Sequence, residues 1–184
     1  DNECYSGHCL DVGGAKVCAG TCADGCKDDE VCITTGGDQI CVPKFGAMCN
    51  PCKANKECEG PENSGNKCVQ RGADGSFCGS KCATSTDCPK GYLCEDGKDV
   101  EGKAVRQCVL PVDEICSCSD GANKGELSTV CLAKHDNGGF CAGERRCLAK
   151  GAPGAPADGG LTPCVAPEPA TETCDGVDDE CDGT

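Results

Sequence analysis

The sequence predicts a small, disulfide-rich, loop-dominated fold with short β-hairpins and little helix, laid out as an elongated tandem array of about three modules. Three observations carry that expectation. The chain of 184 residues holds 24 cysteines, an even number. Leu, Ile, Val and Phe together number only 25, there is no Trp, and the aromatics are Tyr5, Phe45, Phe77, Tyr92 and Phe140. A chain so poor in bulky apolar groups, with a net charge of −14, would be disordered without cross-links, because a single core cannot be built from that stock. The third observation is a recurring cysteine pattern.

Two uses compete for the cysteines: disulfides in an oxidising compartment, or thiolate metal sites in a reducing one. Zinc sites pair one Cys-x2-Cys knuckle with another, and here only Cys49 and Cys52 have that spacing. Disulfides are therefore expected, up to twelve of them. Closing a loop of about 15 residues is worth roughly 3 kcal/mol in the chain-entropy model, so a dozen bridges can replace the missing core. The pairing is left open by spacing. The redox requirement places the protein outside the cell, secreted or on the cell surface. The chain starts at Asp1 without an apolar leader, which reads as a signal peptide already removed or a piece of something longer. No apolar run is long enough to span a membrane, and the acidic charge disfavours nucleic acid and anionic lipid.

The pattern repeats. Cys9-LDVGGAKV-Cys18-AGT-Cys22 is answered by Cys68-VQRGADGSF-Cys78-GSK-Cys82 and by Cys131-LAKHDNGGF-Cys141-AGERR-Cys147. Cys26-KDDEV-Cys32 matches Cys88-PKGYL-Cys94, and Cys41-VPKFGAM-Cys49 matches Cys108-VLPVDEI-Cys116 and Cys164-VAPEPATET-Cys174. The units start 59 and 63 residues apart. Module 1 spans residues 1–58, module 2 residues 59–118, module 3 residues 119–173, and an acidic motif follows at 174–184. In each module GGAK, GADG or HDNGG sits where a hairpin turn belongs. Val17, Phe77 and Phe140 precede the second cysteine of each hairpin, which predicts one shared apolar plug per module. Residues 149–173 hold five of the ten prolines and read as an extended strut or a flexible linker. Thr162, Thr171 and Thr173 there have a setting compatible with O-glycosylation, and the chain has no Asn-x-Ser/Thr sequon.

Residues 78–94, CGSKCATSTDCPKGYLC, resemble a cysteine-rich module of secreted bacterial proteins and the Dickkopf N-terminal cysteine-rich region. The C-terminal CDGVDDECDG, residues 174–183, is similar to the MopE-type metal-binding repeat, although Thr184 stands where that motif continues toward an acidic pair. The resemblance implies a surface or secreted protein of bacterial type that binds divalent cations in a modular setting.

The acidic motif carries the same expectation on its own chemistry. Hard cations such as Ca2+ take six to eight oxygen ligands around a Gly-assisted turn. Asp175, Asp178, Asp179, Glu180 and Asp182 supply five carboxylates in eight residues, with Gly176 and Gly183 in place for the turn. A Cys174–Cys181 bridge would clamp the loop. A second cluster, Asp24, Asp28, Asp29 and Glu30, reads as a solvated surface. Written head to tail, the chain gives CDGT-DNEC, so that Cys174, Cys181, Cys4 and Cys9 match Cys49, Cys52, Cys58 and Cys68. Asp1 and Glu3 of a neighbouring copy would then join the cation site. This predicts copies of the chain as partners, docked end to end, with glycans or other surface proteins beyond them. A contact of that kind which does not close gives an open filament.

Catalysis has little support. His8 and His135 read as exposed loop residues, and no serine sits in a triad context. Non-enzymatic, structural or adhesive function is the expectation, as the repeating subunit of an extracellular filament. The alternative is a soluble ligand-binding or protease-inhibitor-like module presenting the loop from Glu59 to Lys67.

Overall fold

The computed structural model describes residues 9–12, 15–28, 30–59, 65–135, 139–169 and Cys181. Its secondary structure is almost wholly antiparallel. The first module contributes two hairpins, β1 (Cys9–Val12) with β2 (Ala15–Cys18), and β3 (Glu30–Thr35) with β4 (Asp38–Pro43). The second contributes β5 (Cys68–Gln70) with β6 (Ser76–Cys78), then a three-stranded sheet in which β9 (Ala104–Val109) lies between β7 (Ser80–Lys81) and β8 (Leu93–Lys98). After the single α-helix among the described residues, α1 (Asp120–Lys124), a second three-stranded sheet places β11 (Phe140–Leu148) between β10 (Ser128–Lys134) and β12 (Gly160–Leu161). The helix is five residues long, and Ser119 caps it by accepting the Ala122 N–H at 3.0 Å.

Sulfur occupies the positions that apolar side chains hold in larger domains. Ten bridges join described cysteines: 22–32, 26–41, 49–116, 52–68, 58–78, 82–94, 88–108, 118–147, 131–164 and 141–181. Cys18 is also disulfide-bonded, whereas Cys9 carries a free thiol, so the full complement of twelve bridges is not reached. Most of the buried hydrophobic side chains among the described residues are half-cystines, including Cys52, Cys58, Cys68 and Cys78, which form one cluster by themselves. Among the described residues the aliphatic cluster is small, with Ala19, Ile40 and Val42 at its centre and Leu10 and Ile33 against it.

Modules 1 and 2 share a local plan. Cys22–Cys32 interleaves with Cys26–Cys41, as Cys82–Cys94 does with Cys88–Cys108. In both, the two later cysteines face one another across a hairpin, Cys32 opposite Cys41 and Cys94 opposite Cys108. The segment just before each first cysteine pairs with the hairpin's second strand, Thr21 with Ile40 and Lys81 with Gln107. The buried filling differs. Ile40 packs among aliphatic groups, while Gln107 accepts the Lys67 N–H at 3.3 Å and donates to the Gly65 carbonyl at 3.1 Å.

Module 3 departs from that plan. Cys131 lies opposite Gly143, and Cys141 opposite Ala133, whereas Cys68 faces Cys78 directly. The expected common plug is not common. Phe77 is 5% exposed, paired with Val69 and bridged to Pro51. Phe140 is 48% exposed, since it pairs with Lys134 at the outer end of the β10–β11 arm; the Val17 side chain lies outside the described residues. The Pro/Ala/Gly-rich stretch, as far as residue 169, is not an extended strut. It turns back so that Leu161 pairs with Cys147, Val165 pairs with Glu144, and Cys164 is bonded to Cys131.

Candidate functional site

The five carboxylates of the expected cation loop, Asp175, Asp178, Asp179, Glu180 and Asp182, lie outside the described residues, as do Asp1 and Glu3. The clamp foreseen for that loop is overturned. Cys181 is bonded to Cys141 in place of Cys174, and its carbonyl accepts the Phe140 N–H at 2.8 Å. A cysteine seven residues away was the nearer partner in sequence, but the return of residues 160–165 along β11 carries the chain back to the hairpin that holds Cys141. In the second acidic cluster Asp28 is exposed and the Glu30 carboxylate accepts the Lys27 N–H at 3.2 Å. Asp29 and the side chain of Asp24 lie outside the described residues.

Three groups of cysteines bring their sulfurs within 4.8 Å of one another: Cys22, Cys26 and Cys32; Cys52, Cys58 and Cys78; Cys82, Cys88 and Cys108. Each lies where two bridges cross, and every one of these sulfurs is already in a disulfide. A metal ligand must be a thiolate, so the clusters are covalent clamps.

A cleft of about 350 Å³ opens on module 2. One wall is hairpin β5–β6 with its turn, contributing Arg71, Asp74 and Phe77; the other is the end of β9 and the irregular strap that follows, contributing Leu110, Glu114 and Ile115. Tyr92 also lines it. The strap is closed at both ends by sulfur, through Cys88–Cys108 and Cys49–Cys116. Arg71 holds its middle, donating from one guanidinium nitrogen to the carbonyls of Leu110 and Pro111, both at 2.8 Å. The strap leaves Val112 80% and Ile115 54% exposed at the mouth. Burial, aided by the negative charge of Glu114, raises the Tyr92 phenol above its ordinary pKa, so it is neutral at physiological pH.

Modules 2 and 3 meet along a dense polar seam. Gly75, at φ +114°, fits its backbone against fully buried Thr129; a Cβ there would lie 2.5 Å from the threonine methyl. The Thr129 hydroxyl accepts the Ser76 N–H at 2.8 Å. Ser119 donates to buried Asn50, at the end of module 1, at 2.9 Å, and Arg145 pairs with Asp74 of module 2 at 3.3 Å. Lys53, also from the end of module 1, reaches across to Glu144 of module 3, which also accepts from Ser128 and Arg146. Hydrogen bonds from Lys53, Ser128 and Arg146 hold the Glu144 carboxyl down at a pKa of about 2. Burial pushes the Asp99 carboxyl of module 2 up, yet hydrogen bonds from Asn55, Lys103 and Glu101 and the charge of Lys103 outweigh it and leave it below its usual range.

Other expected positions divide. The loop candidate for protease inhibition is pinned at its base by a Lys67–Glu59 ion pair at 2.9 Å, and residues 60–64 lie outside the described set. His135 is not an exposed loop residue: its side chain is 18% exposed and its Nε2 is buried. His8 lies outside the described residues. Thr162 is buried and its hydroxyl accepts the Arg146 N–H at 3.0 Å, which removes it from the glycosylation candidates; Thr171 and Thr173 lie outside. The cleft was missed in sequence. Its signal is the interval Cys108-VLPVDEI-Cys116, whose bulky apolar residues flank an acidic pair between two half-cystines. No family model, curated protein or solved structure matches the chain.

Proposed function

We propose that this chain is a secreted structural or adhesive protein, the repeating subunit of an extracellular filament assembled head to tail with Ca2+ at its acidic C-terminal loop. The observation that supports the reading most is the covalent and polar tie between consecutive modules. Cys49–Cys116 links the end of module 1 to the end of module 2, and Gly75 of module 2 locks against Thr129 of module 3. Such a seam makes neighbouring modules transmit load, which a free-standing binding domain does not require. The disulfide framework is of the extracellular kind, and among the described residues no helix is long and apolar enough to cross a membrane.

In this reading Asp175, Asp178, Asp179, Glu180 and Asp182 hold the cation, with Asp1 and Glu3 of the next copy completing the shell. The test is electron microscopy and sedimentation of the full chain over a concentration series, with Ca2+ and with a chelator. Filaments that grow with concentration and dissolve on chelation are expected. A monomer at every concentration, unaffected by Ca2+, would overturn it. A second reading, a soluble extracellular ligand-binding module, is favoured by one observation, the cleft on module 2.

A further inference from the structure

The cleft between hairpin β5–β6 and the 109–116 strap has the size and lining of a site for one short ligand. At about 350 Å³ it stands at the small end of the range for small-molecule pockets, roughly 300–1,000 Å³. Phe77, Val109, Leu110 and Ile115 offer an aliphatic or aromatic wall. The polar groups decide which head group fits. The guanidinium of Arg71 is engaged by the Leu110 and Pro111 carbonyls, and Asp74 is paired with Arg145. That leaves Glu114, whose carboxylate has no ion-pair partner among the described residues, beside the neutral ring of Tyr92. An anion would meet the unpaired Glu114 carboxylate there, while the Arg71 cation is held toward the strap carbonyls. A wholly apolar ligand would lie against a charge that it cannot neutralise.

We propose that this cleft binds a primary alkylammonium group, the chemistry of a lysine side chain or of a free aliphatic amine. The methylene chain lies along the Phe77, Leu110 and Ile115 wall, and the ammonium sits between the Glu114 carboxylate and the face of Tyr92, combining ion pairing with cation–π attraction. Val112 and Ile115, exposed at the mouth, give an incoming chain apolar surface to cover. The net charge of −14 draws cationic partners toward the molecule at a distance. The site lies within one copy of the chain, so it stands or falls separately from filament formation.

The absence of Trp makes the test direct: with Tyr5→Phe, Tyr92 is the chain's single tyrosine. That variant is titrated with hexylammonium, with a blocked Gly-Lys-Gly peptide, with hexanol and with a neutral oligosaccharide, reading Tyr92 fluorescence and the methyl NMR shifts of Val109, Leu110 and Ile115. Saturable binding of hexylammonium is expected, about tenfold tighter than hexanol. Glu114→Gln, at an exposed position, should remove that tenfold advantage and leave hexanol binding unchanged. Binding of the lysine peptide as well as the free amine assigns the source to a protein side chain, and binding of the amine alone assigns it to a small molecule. Equal binding of hexanol and hexylammonium, response to the oligosaccharide alone, or no saturable response would overturn the proposal.

Discussion

Replacing Gly75 by Ala tests whether the seam between modules 2 and 3 is a tight interlock. The residue has φ +114°, a region costly for any side chain, by about 1–2 kcal/mol. The added methyl would also lie 2.5 Å from the Thr129 methyl and 2.9 Å from its hydroxyl, with the Val130 carbonyl at 3.0 Å. Thr129 is fully buried and its hydroxyl satisfies the Ser76 N–H, so it cannot turn away without breaking that bond. Overpacking of this kind costs about 1–3 kcal/mol. Gly75→Ala should therefore lose about 3 kcal/mol in denaturant unfolding with the disulfides intact, with faster amide exchange in β6 and β10. Combining it with Thr129→Ala separates the two causes. The steric part disappears in the double variant, leaving a favourable coupling of about 1–2 kcal/mol. A Gly75→Ala protein within 0.5 kcal/mol of the parent, or an equal cost in both backgrounds, would refute the reasoning.

Phe77→Ala should cost about 3 kcal/mol or more, and Phe140→Ala less than 1 kcal/mol, because the first ring is buried and the second half exposed; thermal melts of both variants make the comparison. Glu144 is held below its ordinary pKa, so its contribution to stability is complete above pH 4.5 and is lost as pH falls toward 2. Glu144→Gln should remove about 1 kcal/mol at neutral pH and flatten that acid limb in melts recorded from pH 6 to pH 2. Removing the 49–116 bridge by Cys49→Ser with Cys116→Ser should cost about 3–4 kcal/mol, since the other bridges shorten its loop to roughly 30 residues; Cys22→Ser with Cys32→Ser should cost about 2.7 kcal/mol for a loop of 10. Unfolding under non-reducing conditions ranks the two pairs.

The hairpins were legible in the sequence because each unit states its turn locally, in GGAK, GADG and HDNGG between two cysteines. The scarcity of apolar residues likewise announced that sulfur would fill the interior. Partner choice was not legible, since it depends on where distant segments return. Cys181 finds Cys141 only because residues 160–165 run back along β11. The equivalence of Phe77 and Phe140 also failed for a non-local reason. Pro51 bridges to Phe77, which pairs with Val69, while Phe140 ends an arm whose register differs from that of β5–β6. The cleft escaped notice on the same ground, its two walls being a turn at 71–74 and a strap some forty residues later. Gln107 shows that even a faithful local match can hide a change of chemistry, an amide standing where module 1 buries Ile40.

Full reduction at neutral pH, with the thiols alkylated and no denaturant present, addresses the substitution of sulfur for a core most directly. Circular dichroism and amide exchange before and after treatment would report the state of the hairpins. Loss of the β signal and of protection in every module is expected once the ten described bridges are open. Hairpins that keep their protection in the fully reduced chain would contradict it.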